Sequence, residues 1–359
     1  MEKLHLDQQN SFEIAGSSFL ATENLADHLN YDIASFCIDD LNKILLNPLL
    51  KFTNNSSNFF RSRLVELSIS LCSDKSLVFT KQFQKKISQN LSKLIEALHT
   101  GSLIIDDIQD NANVRRGKPS FHTEIGTPLA INSGSWLYFW ALSHISSMSL
   151  EPQVELDITR LCHQALMRGH LGQALDLGIR IDEVSQSKAR EVSISALQLK
   201  TGTLTSLACE LAAVVCGVHT EVRLAFKNFG ASFGFALQAF NDLGEFSIRD
   251  KNISQDLIAG RPSWIWICAS EYLTMTEYME FTAQVHRLRR SDSGSKEKTM
   301  MWLKQHPVVS FARSQANIIM NNSFNKLSNQ LNQFDYELNQ RFDWKELQLL
   351  GQKVSEIYD

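Results

Sequence analysis

Apolar positions recur along this chain at intervals of three and four residues rather than two. Ile194, Leu197, Leu199, Leu204, Leu207, Leu211 and Val214 show the spacing. On an α-helix such residues line one side. No stretch alternates convincingly between apolar and polar, and no Asn-Gly or Asp-Gly pair signals a hairpin. Only six prolines occur, and long intervals lack both proline and glycine, so little interrupts a helix. The pattern predicts an all-α chain, a bundle of about ten to twelve helices.

Breaks in the pattern give the organisation. Residues 1–24 are polar and read as a loose tail. No change of composition divides 60–280 and no repeat of 20–50 residues is evident, so 25–359 is expected to form one domain. The Asn- and Ser-rich run Thr53–Asn58 predicts a loop leading into a helix. The charged, Ser-rich run 287–298 predicts an exposed, mobile loop. Pro128–Ile145 is the most apolar long run, yet it contains Asn132, Ser133, Ser135 and His144, which favours a buried helix over a membrane span.

Composition narrows the class. With 43% hydrophobic and 21% charged residues, the chain reads as an ordinary soluble globular protein. A net charge of -4 gives no sign of a nucleic-acid partner. The six cysteines form no CxxC pair and have no zinc spacing with histidine. They read as core residues in a reducing compartment. The polar start lacks the apolar segment of a secretory signal, and the end is not a prenylation signal. A cytoplasmic location, without a transmembrane segment, is expected.

The chemistry is concentrated at Leu103-Ile104-Ile105-Asp106-Asp107-Ile108-Gln109-Asp110. On a helix Asp106 lies one turn below Asp110, and Asp107 is close to both. Three acids usually mean a solvated helix face. Here the preceding run from Leu98 is too apolar for one, and mutually repelling carboxylates suggest a cation between them. Oxygen-only donors suit a hard ion such as Mg²⁺. Arg115, Arg116 and Gly117 follow five residues later, and arginines beside such a metal suggest a diphosphate substrate.

Further groups acquire meaning beside that cluster. Lys200 and Thr201, in Lys200-Thr201-Gly202, are expected to open an apolar helix from Thr203 to Val218. A lone lysine there is usually a snorkelling surface residue, but next to an acidic cluster it becomes a diphosphate ligand. Gln238, Asn241, Asp242 and Glu245 lie on another apolar helix, over Ala231–Phe240. Asn241 and Glu245 repeat the spacing of Asp106 and Asp110 with weaker ligands. Gln173 and Asp176 could serve the diphosphate or metal shell, or simply satisfy backbone groups.

In order and spacing these motifs, with His99-Thr100-Gly101-Ser102 upstream and Asp256-Leu257-Ile258-Ala259-Gly260-Arg261 downstream, resemble the trans-isoprenyl diphosphate synthases, and within them the geranylgeranyl diphosphate synthase branch. The similarity spans roughly residues 55–270. It implies a single-domain antiparallel helix bundle around a central apolar cavity, the class I isoprenoid synthase fold, as a homodimer. It implies three Mg²⁺ ions when diphosphate is bound, held by Asp106, Asp107, Asp110, Asn241, Asp242 and Glu245. It assigns Arg115, Lys200, Gln238 and Arg261 to the allylic diphosphate, and Arg61, His99 and Arg116 to isopentenyl diphosphate. Gln173 and Thr201 join the substrate shell, and Asp106, Asp107, Asp110 and Lys200 form the catalytic set.

Two departures stand out. Where the family carries Gly-Lys-x-x-Arg, this chain has Ser57-Asn58-Phe59-Phe60-Arg61. Losing that lysine costs about 1.5–3 kcal/mol of phosphate affinity. Asn-Asp-x-x-Glu replaces a second Asp-rich motif and removes one negative charge. The implied reaction is condensation of isopentenyl diphosphate with an allylic diphosphate. Small Gly101 and Ser102 one turn before Asp106, with Leu98 below, suggest an open cavity floor and a C20 or longer product. The competing readings are a terpene synthase working without isopentenyl diphosphate and a non-catalytic subunit that modulates an active partner.

Overall fold

Runs of three-four spacing become helices throughout the computed structural model, which describes residues 19, 20, 25, 35–54, 60–73, 80–115, 117–244, 246 and 253–357. Among these residues the all-α expectation holds: fourteen continuous helical segments, two of them of only five residues. The sole extended pairing among them is a two-residue ladder. The chain divides into two units, Met1–Arg63 with Lys85–Leu150, and Leu64–Gln84 with Glu151–Asp359.

In the first unit α1 (Ser35–Leu41) runs through a π turn, Asn42–Leu46, into α2 (Asn47–Asn54). The chain passes to the second unit within α3 (Phe60–Ser73) and returns within α4 (Lys81–Gln109). Helix α4 buries Ile87, Leu91, Leu94, Ile95, Leu98 and Ile104 on one face, the amphipathic stripe its spacing predicts. It stops at Asn111, whose φ of 52° is left-handed. The Asn111 amide donates to the carbonyl of Ile108 (3.2 Å) and that of Ala112 to the carbonyl of Asp107 (2.9 Å). This pair of bonds satisfies the last carbonyls of the helix, so the acidic residues lie on its final turn.

Strands β1 (Val114–Arg115) and β2 (Lys118–Pro119) then pair antiparallel. Gly117, at φ 75°, supplies the turn between them. Next come α5 (Phe121–Ile125) and α6 (Thr127–Ser146), the latter with Pro128 in its first turn. Helix α6 buries Leu137, Trp140, Ala141 and Ile145 but leaves Leu129, Ile131 and Phe139 exposed, so the buried-helix expectation holds for one face only. Phe19 packs on Trp140 with ring centroids 5.6 Å apart, and Leu20 is fully buried.

The second unit continues through α7 (Pro152–Gly178), α8 (Gln186–Leu197), α9 (Thr203–Val215), α10 (Thr220–Gly244), α11 (Gln255–Ala259), α12 (Trp264–Tyr272), α13 (Met275–Arg289), α14 (Ser295–Gln305), α15 (Val308–Asn332) and α16 (Phe342–Ile357). Helix α10 packs on α9 and α15, and α7 on α8 and α9. Phe229 and Phe233 of α10 meet Phe324 of α15 edge-on, at 5.2 and 6.0 Å, an arrangement worth more than the buried area alone.

Three sequence expectations change here. Thr53 and Asn54, expected in a loop, instead end α2, and 55–58 lie outside the described residues. Lys200-Thr201-Gly202 does not open a helix. These residues end a π turn, Gln198–Gly202, that joins α8 to α9 without a break. No capping residue stops α8, and the extra residue is absorbed as a π-bulge, a device common at functional sites. The expected loop over 287–298 also shrinks. Helix α13 reaches Arg289 and α14 begins at Ser295, because Leu288 is buried and Arg289 is held by Asp182 and Glu183.

Candidate functional site

The final turn of α4 arranges the first acidic group. Asp107 is 1% exposed and bound by Arg115, whose Nε lies 2.7 and 2.8 Å from its two oxygens and whose Nη2 lies 2.6 Å from Oδ1. The same guanidinium stands 3.7 Å from Asp106, which is 20% exposed. Asp110 is exposed. Burial works against the charge on Arg115. The hydrogen bonds that Arg115 donates to Asp107 and the fields of Asp107, Asp106 and Asp110 outweigh it and raise the pKa above its ordinary value. Thus Asp107 turns inward to the arginine, while Asp106 and Asp110 face outward. Among the described residues no three acidic, His or Cys side chains gather closely enough to hold a metal. Asp106 and Asp110, one helical turn apart, are a pair of hard oxygen donors that suits Mg²⁺.

Upstream on α4, His99 Nε2 lies 2.9 Å from Arg61 Nη1, so two of the three residues expected at the isopentenyl diphosphate come together. Gly101 behaves differently. A Cβ there would lie 2.8 Å from the carbonyl oxygen of Gly134 and 3.1 Å from the Tyr138 ring, both on α6. The residue is small because α6 crosses α4 at that point, not because it floors an open cavity. Ser102 is exposed and Leu98 buried. Gly101→Phe is therefore expected to destabilise the chain by about 1–3 kcal/mol through overpacking, measured as a lowered thermal midpoint; an unchanged midpoint would restore the cavity-floor assignment. Tyr138 was not legible as a site residue. Burial, and next the carboxylate of Asp106, raise its pKa.

In the second unit three helices converge. Gly172 lets α7 touch the π turn: a Cβ there would lie 2.5 Å from the backbone nitrogen of Lys200. One turn on, Asp176 accepts from Lys200 Nζ at 3.1 Å. Its backbone carbonyl accepts from Arg261 Nη1 at 3.0 Å, and its carboxylate lies 3.8 Å from the same nitrogen. Asp176 is 12%, Arg261 13% and Lys200 34% exposed. Two cations thus share one largely buried carboxylate.

A second chain of bonds runs alongside. Thr201 donates to Gln238 (2.9 Å), Gln238 donates to Asp242 Oδ1 (2.8 Å), and Asp242 Oδ2 accepts the backbone N–H of Trp264 (2.6 Å). Asp242 is 4% exposed, so it ties α10 to the start of α12 as well as standing in the second acidic motif. Gln173 and Asn241 are half-buried nearby in sequence to Asp176 and Asp242. Arg116, Glu245 and Asn58 lie outside the described residues. No helix among those described is long and apolar enough to cross a membrane.

The profile of the polyprenyl synthetase family matches residues 42–301. The chain belongs to the polyprenyl synthetase family. Family membership makes it a prenyltransferase enzyme on the all-α isoprenoid synthase scaffold. It is 24% identical over 285 residues to a geranylgeranyl pyrophosphate synthase of Dictyostelium discoideum, covering 79% of this chain and 88% of that protein. A geranylgeranyl pyrophosphate synthase of Penicillium paxilli is 28% identical over 231 residues, 63% of this chain and 58% of the relative. The crystal structure of geranylgeranyl pyrophosphate synthetase from Pyrococcus horikoshii Ot3 superposes with a TM-score of 0.72 at 19% identity, over 88% of this chain and 90% of that one. A decaprenyl diphosphate synthase from Rhodobacter capsulatus gives 0.72 at 17%, over 89% and 91%. At these identities the solved structures speak for the fold.

Proposed function

We propose that the chain condenses isopentenyl diphosphate with an allylic prenyl diphosphate, releasing diphosphate and yielding a product of C20 or longer. The observation that supports this reading best is the pair Lys200 and Arg261 on Asp176: a held, doubly cationic corner matched to a diphosphate. Each acidic group, Asp106, Asp107 and Asp110 in the first unit and Asn241, Asp242 and Glu245 in the second, would supply oxygen donors to Mg²⁺. Mg²⁺ held by those residues, three ions in all, would act as a Lewis acid for the departing diphosphate.

The chain's own residues do the rest. Lys200, Gln238 and Arg261 hold the allylic diphosphate, with Thr201 orienting Gln238 and Gln173 in the surrounding shell. Arg115, which holds Asp107, would also contact the allylic diphosphate, and Asp107 would be one of the residues that hold Mg²⁺. Arg61, His99 and Arg116 hold isopentenyl diphosphate, without the lysine that Asn58 replaces. Exclusion of water would protect the allylic cation, and the released diphosphate would accept the final proton.

Product length is read from the Dictyostelium and Penicillium relatives, both named geranylgeranyl pyrophosphate synthases. A homodimer is supported by Met167 and Leu171, exposed at successive turns of α7, and separately by exposed Phe139 on α6. The unpaired, mostly buried cysteines support a cytoplasmic location.

The test is to incubate the purified chain with geranyl or farnesyl diphosphate and Mg²⁺, with and without isopentenyl diphosphate. A longer prenyl diphosphate is expected only when both substrates are present, and chelation by EDTA should abolish it. Hydrocarbon or alcohol formed from one substrate alone would establish a terpene synthase instead. Inactivity relieved by adding a second homologue would establish a modulating subunit.

A further inference from the structure

Asp182 stands outside every motif discussed so far, yet its side chain is fully buried. It occupies a one-turn 3-10 helix, Ile181–Glu183, that follows α7. Arg289 Nη1, from α13, lies 3.1 Å from each of its carboxylate oxygens. His286 of the same helix places Nδ1 3.3 Å from Oδ2, and its Nε2 hydrogen-bonds the Asp182 carbonyl at 3.0 Å. Arg289 Nη2 extends to Glu183 at 2.7 Å.

The other side of the carboxylate presses on Gly260. A Cβ there would overlap Asp182 Oδ1, and Gly260 has a φ of 68°, which a glycine adopts without strain. The backbone N–H of Ile181 donates to the Gly260 carbonyl at 2.9 Å, and the Arg180 guanidinium donates to the Ala259 carbonyl at 2.5 Å. The next residue is Arg261, whose side chain crosses to Asp176 beside Lys200.

We propose that Asp182, clamped by His286 and Arg289, is a positioning device that sets Arg261 at the diphosphate; the proposal rests on the reading of Arg261 as a diphosphate ligand. Two segments some eighty residues apart, 179–183 and 259–261, are sewn together, and α13 supplies, in Arg289, the cation that a buried carboxylate requires. Apolar packing of equal volume would serve a plain structural tie as well or better. Asp182 Oδ1, held by a hydrogen bond from Arg289, packs against Gly260, so holding it fixes where the Gly260 backbone sits and, through it, the origin of the Arg261 side chain. Misplacement by a fraction of an ångström matters where a charge-assisted bond must meet a developing charge.

The test uses the full chain and the variants Asp182→Asn, Arg289→Gln, Arg289→Lys and His286→Gln. Steady-state constants are measured for each substrate, with thermal midpoints and the Kd for inorganic pyrophosphate in Mg²⁺ by calorimetry. In Asp182→Asn and Arg289→Gln the KM for the allylic diphosphate and the Kd for pyrophosphate should rise about tenfold, the loss expected from one misplaced charge-assisted contact. The kcat and the KM for isopentenyl diphosphate should stay within about twofold, and Arg289→Lys should recover part of the loss, since one donor to Asp182 remains. Unchanged pyrophosphate affinity and allylic KM in any folded variant would overturn the proposal. Half-exposed His286 gives a variant that reads the clamp even if the buried substitutions fail to fold. Wild-type chain that binds pyrophosphate but performs no condensation would instead remove the proposed reaction and leave the clamp to be judged by Kd.

Discussion

Asp106→Ala is expected to lower kcat by about 10²–10³-fold while leaving the thermal midpoint nearly unchanged. Asp106 is 20% exposed on the last turn of α4, and an Arg115 nitrogen lies 3.7 Å away. Its removal takes an oxygen donor from the proposed metal set but opens no cavity and strands no buried charge. Asp107→Ala gives the contrast. Arg115 would lose the partner to which it makes three contacts under 3 Å, and removing one member of such a pair costs about 3 kcal/mol. Comparing rates and melting curves of the two variants across a Mg²⁺ titration separates the roles: Asp106 should change only the chemistry, Asp107 both chemistry and stability. Asp106→Ala with wild-type turnover and wild-type Mg²⁺ dependence would take the end of α4 out of the catalytic machinery.

Gly172→Ala carries the second large effect. The new Cβ would lie 2.5 Å from the Lys200 backbone nitrogen and 2.8 Å from the Leu199 carbonyl carbon. The obstacle is backbone, so no side chain can rotate away, and α7 and the π turn must separate. Overpacking of this kind costs about 1–3 kcal/mol, a drop of several degrees in the midpoint. The shift also lengthens the 3.1 Å contact between Lys200 and Asp176. Affinity for the allylic diphosphate should therefore fall by about tenfold or more, beyond what stability alone explains. Gly169→Ala on the same helix, where nothing lies within 4 Å of the added carbon, is the control and should be near neutral in both readouts. If Gly172→Ala binds and melts like the control, the close crossing of α7 does not position Lys200.

The helix class was legible because apolar spacing of three and four is a local property, and local apolar faces must be buried wherever the helix goes. The acidic motif was legible for a related reason. Asp106, Asp107 and Asp110 are brought together by one helical turn, so their spacing in sequence is their spacing in space. The same holds for Gln238 and Asp242, four residues apart and joined at 2.8 Å. Gly101 was misread because a glycine next to an acidic motif looks the same whether it faces a cavity or a crossing helix; only the approach of Gly134 decides. The π turn at Gln198–Gly202 left no mark either, since its residues are ordinary helix formers apart from the glycine.

Sequence by itself determined the all-α class, the turn of α4 that carries the carboxylates, and the residue types suited to magnesium and diphosphate, all of which depend on neighbours within four positions. Only the tertiary structure decided that Arg115 holds Asp107, that Lys200 and Arg261 share Asp176, and that Asp182 is clamped by α13. Those pairs join residues 8, 24, 85 and 107 positions apart. Contacts at such separations follow from how helices cross, which is set by the summed packing of many side chains and not by any local pattern.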